Sequence, residues 1–92
     1  MSIELIADVT YPLHLEEELT GLVKTLVVFS RKENGCERYD AFIKENGIVI
    51  VEAWTKQTML DLHQTKQHFL NLVAFIEKHN LVITITPVSS LL

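Results

Sequence analysis

This sequence offers little to support cross-linking, nucleic-acid binding or membrane insertion. Its single cysteine, Cys36, excludes an internal disulfide. Eight basic residues face twelve acidic ones and form no stripe, so the electrostatic footprint of a nucleic-acid binder is missing. No apolar run approaches the roughly 18 residues that a membrane-spanning helix needs. Only three glycines and two prolines punctuate 92 residues, and no linker, repeat or low-complexity tract interrupts them, so residues 1–92 read as a single domain. The start, Met1-Ser2-Ile3-Glu4, has no basic or apolar signal region, and a cytoplasmic location is expected. No phosphate loop, dinucleotide fingerprint or nucleophile elbow occurs.

What is present is a regular alternation of element signals. Ile3, Leu5, Ala7 and Val9 alternate with Glu4, Ile6 and Asp8 as a strand that Tyr11-Pro12 ends. Leu15, Leu19, Leu22, Leu26 and Phe29, widened by Val23 and Val27, predict a helix over 13–31, with Glu16, Glu17 and Glu18 at the positive end of its dipole. Asn34-Gly35 closes that helix. Residues 36–44 alternate again, with Tyr39, Ala41 and Ile43 on one side and Arg38, Asp40 and Phe42 on the other. Asn46-Gly47 then marks a hairpin into a third strand over 47–55. Thr55 or Thr58 is expected to cap a short helix running to His63, and Thr65 to cap the next, whose stripe is Phe69, Leu72, Val73 and Ile76. A β-branched strand over 81–88 follows.

Strand, helix, strand, strand, helix, strand is the split βαβ pattern, so an α+β, ferredoxin-like fold with a four-stranded antiparallel sheet is expected. Its helices cover one sheet face only. The third strand is nevertheless apolar on both faces from 48 to 51, and 48% of all residues are hydrophobic, more than a small monomer hides easily. A second copy packed on the open face resolves this, so a homodimer is expected.

Asn34-Gly35-Cys36-Glu37-Arg38-Tyr39, then Glu52-Ala53-Trp54, then His63, and finally Thr65-Lys66-Gln67-His68-Phe69 resemble the antibiotic biosynthesis monooxygenase family, whose members are dimeric α+β barrels. The resemblance implies a cofactor-independent monooxygenase that acts on a small aromatic or quinol-type substrate with dioxygen, in a pocket between sheet and helices. Haem-degrading relatives carry an Asn on the first strand, where this chain has Ile6-Ala7-Asp8, so haem is not expected.

The candidate catalytic residues are His63, His68 and Trp54, and the candidate substrate-binding residues are Tyr39, Trp54, Glu52 and Phe69. Imidazole titrates near neutrality and suits a general base, but either histidine can equally fix the helix–helix corner, and His68 can belong to a cap. Trp54 can stack on a flat ring or pack the core, and its indole N–H or the Tyr39 hydroxyl can steady an oxyanion. Glu52, an acid in an apolar strand, needs a partner, and Arg38 on the paired strand is the expected one. Cys36 reads as inert, and His14 and His79 as exposed helix-end residues. No metal site is expected, because His63 and His68, five positions apart, are separated by about 500° of helix rotation. The alternative reading is non-oxidative binding or isomerisation of a small metabolite on the same scaffold.

Overall fold

The computed structural model describes residues 2–92; Met1, which opens the stretch read above for a signal, lies outside them. The order is β1 (Ile3–Thr10), a single 3-10 turn (Leu13–Leu15), α1 (Glu16–Ser30), β2 (Cys36–Lys44), β3 (Gly47–Trp54), α2 (Gln57–His63), α3 (Gln67–Lys78) and β4 (Val82–Val88). The sheet runs β2-β3-β1-β4 with every neighbour antiparallel, which is the ferredoxin-like arrangement expected from the sequence.

Alternation fixes the faces. Ile48, Ile50, Glu52 and Trp54 of β3 point to the helix side, paired with Val9, Ala7, Leu5 and Ile3 of β1. α1 supplies Leu19, Val23 and Leu26 to that core, and α3 supplies Leu72, Phe75 and Ile76. Leu19 and Leu26 are fully buried, each worth roughly 1.5–3 kcal/mol relative to exposure. Phe29, expected on the α1 stripe, is half exposed, and Ser30 takes the buried position at the helix end.

Three described residues adopt positive φ, one of them Asn80 (φ 53°) at the turn from α3 into β4. Asn46 (φ 57°) turns the β2–β3 hairpin, and Gly35 (φ +81°) redirects the chain from α1 into β2. A bulge at Cys36–Arg38 then sets the register that places Tyr39 opposite Glu52.

The expected threonine caps are not used. Lys56 and Lys66 occupy the N-cap positions of α2 and α3 without a side-chain bond, and the Thr65 hydroxyl donates back to the Leu62 carbonyl. His79 is half-buried against Phe75 rather than exposed.

The helices lean over β1, β2 and β3 and leave β4 bare. Every residue of β4 is exposed, including Val82, Ile83 and Ile85. On the open face Phe42 is 53% exposed beside the half-buried Val49 and Val51. The surplus of apolar strand surface expected from the sequence is therefore present on both sides of β4 and across the open face.

Candidate functional site

Because β2 and β3 are antiparallel, the start of β2 lies beside the end of β3, with Cys36 opposite Trp54. The loop before β2 and the helix after β3 therefore meet at one end of the sheet. Tyr39, Glu52, Trp54, His63, His68 and Phe69 converge there, together with a residue that the sequence reading missed, Glu33.

Glu33 links the two histidines. Its Oε2 is 2.7 Å from His63 Nδ1 and 2.6 Å from His68 Nε2. Oxygen of a carboxylate only accepts, so each imidazole presents an N–H to it. In the neutral ring that assignment leaves a lone pair on His63 Nε2, which faces the Tyr39 hydroxyl at 3.4 Å. The chain of contacts thus runs His68, Glu33, His63, Tyr39, from the partly exposed His68 ring to the fully buried His63.

Rotation along one helix does not separate the histidines, because they do not share one. α2 stops at His63 and α3 starts at Gln67, and the turn between them swings both rings toward Glu33. His63 occupies the corner expected of it, but it is held by a carboxylate rather than by a backbone group. His68 likewise contributes nothing to the α3 cap.

Aromatic packing fixes the ring positions. Trp54 lies 4.7 Å from His63 between centroids, Phe69 meets His63 edge-on at 5.2 Å, and His68 stacks on Phe29 at 5.7 Å. Tyr39 approaches Trp54 edge-on and His63 at a tilt.

Glu52 does not pair with Arg38. The two side chains project from opposite faces of the sheet, and Arg38 bonds Asp40 instead, at 2.7 Å. Glu52 accepts from the Trp54 indole N–H at 2.9 Å. Burial pushes the Glu52 carboxyl above its ordinary range, opposed in part by that indole bond. Burial also raises the Tyr39 phenol well above its usual value, with Glu52 adding to the shift, so Tyr39 remains a protonated donor at neutral pH. The indole N–H, one of the two expected oxyanion donors, is therefore already committed to Glu52.

The cluster is closed. Trp54 and His63 have no exposed surface and Tyr39 almost none. A groove of about 510 Å³ opens elsewhere, between α1 and β2, lined by Thr20, Val23, Lys24, Ala41, Phe42 and Ile48 among others and by none of the candidate residues. No helix among the described residues is long and apolar enough to cross a membrane.

No family model matches the sequence, and no curated protein matches it. Solved structures do. A crystal structure described as antibiotic biosynthesis monooxygenase superposes with a TM-score of 0.87 at 26% identity, over 98% of this chain and 99% of that one. A Pseudomonas aeruginosa protein superposes with a TM-score of 0.87 at 28% identity, over 99% and 95%. A Bacteroides thetaiotaomicron protein described as of unknown function and a possible oxidoreductase gives 0.84 at 26%, over 95% of each chain. The chain thus has the architecture of antibiotic biosynthesis monooxygenase structures end to end, in agreement with the resemblance of its motifs.

Proposed function

We propose that the chain is a monooxygenase of small electron-rich aromatic or quinol-type substrates that works without a metal or flavin. One observation carries the reading: Glu33 holds His63 by Nδ1 and so leaves Nε2, the basic nitrogen, aimed into an aromatic-lined interior. An imidazole oriented by a carboxylate, with its lone pair on a hydroxyl, is the arrangement of a general base. In the closed state the Tyr39 hydroxyl stands where a substrate phenol would present its proton.

The reaction needs no external reductant. A hydroquinone deprotonated by His63 passes electrons to dioxygen directly. One oxygen atom enters the ring, the other leaves as water, and the ring supplies all four electrons as it becomes a hydroxyquinone. The protein contributes the base, a displaced Tyr39 as hydrogen-bond donor, and the Trp54 and Phe69 faces that hold the ring away from water. Glu52 positions the indole. His68, on the far side of Glu33, sits where a proton can pass from the buried base toward solvent.

Entry requires an opening, because the ring faces are covered. α2 is the element best suited to move: it has seven residues, lacks a side-chain cap and rests chiefly on β3. The closed packing also favours a second reading, in which the same residues bind or isomerise a small metabolite without consuming oxygen. The same proposal includes a homodimer, in which a second copy covers the open face and β4. Oxygen-electrode measurements with a panel of hydroquinones test the main reading. Substrate-dependent uptake supports it, whereas ligand-induced thermal stabilisation without uptake supports the second.

A further inference from the structure

We infer that Glu33, His63 and His68 form a binding site for a first-row divalent transition cation, with two imidazole nitrogens and one carboxylate oxygen as ligands. This goes beyond the oxygenase reading and does not depend on it.

The donor atoms of the three side chains all lie within 4.8 Å of one another. The two contacts to Glu33 Oε2, 2.7 and 2.6 Å, are hydrogen-bond lengths. Ligands about 2.1 Å from a zinc ion in tetrahedral array stand about 3.4 Å apart, so seating an ion takes a carboxylate withdrawal of less than about 1 Å together with adjustment of the two imidazoles to the same spacing. Imidazole and carboxylate together suit zinc, iron(II) and cobalt(II), and two histidines with one carboxylate leave further coordination positions open for water or an anion.

The surroundings meet the other requirements of a metal centre. Side-chain exposure is 1% for His63, 14% for His68 and 9% for Glu33, so the ligands are already largely withdrawn from water while His68 provides an approach from solvent. Trp54 and Phe69 fix one imidazole and Phe29 the other, so little side-chain freedom is lost on binding. A ligating imidazole needs a partner for its second nitrogen. His63 has one, since with Nδ1 on the ion its Nε2–H points at the Tyr39 oxygen 3.4 Å away. Occupancy flips the His63 tautomer and exchanges two hydrogen bonds for three ligand bonds. An ion at this site therefore removes the His63 Nε2 lone pair from use as a base.

The test uses the untagged, chelator-treated full chain. Zinc titration by calorimetry and cobalt(II) titration by visible absorption are expected to show one ion per chain with micromolar or tighter affinity, a cobalt ligand-field band, and a raised melting temperature. Glu33→Gln and His68→Gln are each expected to weaken binding roughly 100-fold, at or above the loss from removing an outer-shell partner. His14→Gln, on the surface away from the cluster, is expected to leave it unchanged. His68 is partly exposed, so its variant should stay folded, which circular dichroism checks. No saturable binding by the wild-type chain, or unchanged affinity in folded His68→Gln, overturns the proposal.

Discussion

Thirty positions separate Glu33 from His63, yet Glu33 Oε2 and His63 Nδ1 lie 2.7 Å apart and tie the α1–β2 loop to the end of α2. The same oxygen receives His68, so one carboxylate joins three segments. Glu33→Ala strands two imidazole N–H groups in a largely closed site, at about 1–3 kcal/mol for each group left unpaired. Glu33→Gln retains an accepting oxygen and is expected to cost less. Urea unfolding of both variants measures this, and an Ala variant with the wild-type midpoint would show the tie to be idle.

Glu52 predicts a pH dependence of opposite sign to that of a salt-bridged acid. Its folded-state pKa is raised by burial from the ordinary 4.5. The folded chain therefore keeps the proton longer than the unfolded one. Its contribution is fully present below the unfolded value and is lost as pH rises through the folded one. Glu52→Gln still accepts from the Trp54 indole but carries no charge to desolvate. It is expected to be more stable than the wild type at pH 7, with the difference shrinking as pH falls through the raised folded value and levelling off below about 4.5. Melting curves from pH 4 to pH 8 decide the matter, and a gap that grows on acidification contradicts the assignment.

Gly35 leads into β2 and helps place Glu33. Its φ of +81° is one that side-chain-bearing residues rarely adopt, and a Cβ there would collide with Met59 and come within 2.8 Å of Thr55 Oγ1. Gly35→Ala is expected to destabilise the fold by more than about 1 kcal/mol, because strain and collision add. Since Met59 belongs to α2, the same substitution should loosen the His63 corner, which hydrogen exchange at α2 amides would register ahead of global unfolding.

The fold was legible because its strands alternate and its turns carry Asn-Gly or Gly signals. The shared face of Glu52 and Trp54 followed from period two, and the β2–β3 hairpin then brought Tyr39 to Glu52. Glu33 was not legible. It lies in an irregular loop beside Lys32, where an acid looks like ordinary surface charge and no periodicity assigns a direction. A usable signal was the hairpin itself: the loop before β2 and the helix after β3 must share one sheet end, which puts Glu33 near His63. The separation of the two histidines failed for a related reason, since helix rotation applies within one helix and residues 64–66 break it. Pairing Glu52 with Arg38 failed because the bulge at Cys36–Arg38 and the strand alternation put them on opposite faces.

If His63 is the base, its removal should affect turnover far more than stability. His63→Gln is expected to lower kcat for a hydroquinone about 10²-fold or more. His68→Gln retains the base and the Glu33 contact to it, and is expected to lower kcat less. A His63 variant that consumes oxygen at the wild-type rate but melts early assigns the residue to packing alone.

The exposed β4 surface yields the last prediction. Ile85 is 56% exposed, on the helix-side face at the β4 edge that the helices do not reach, and Phe42 is 53% exposed on the open face. Neither position contributes to the core of a single chain, so a charge at either is nearly neutral for a monomer and costly for an interface that buries it. Light scattering at micromolar concentration should give twice the chain mass for the wild type. Ile85→Lys and Phe42→Lys should each shift the equilibrium toward single chains, with secondary structure unchanged by circular dichroism. A wild-type chain that remains monomeric under these conditions removes the second copy from the proposal, because the apolar strand surface would then be stable in water uncovered.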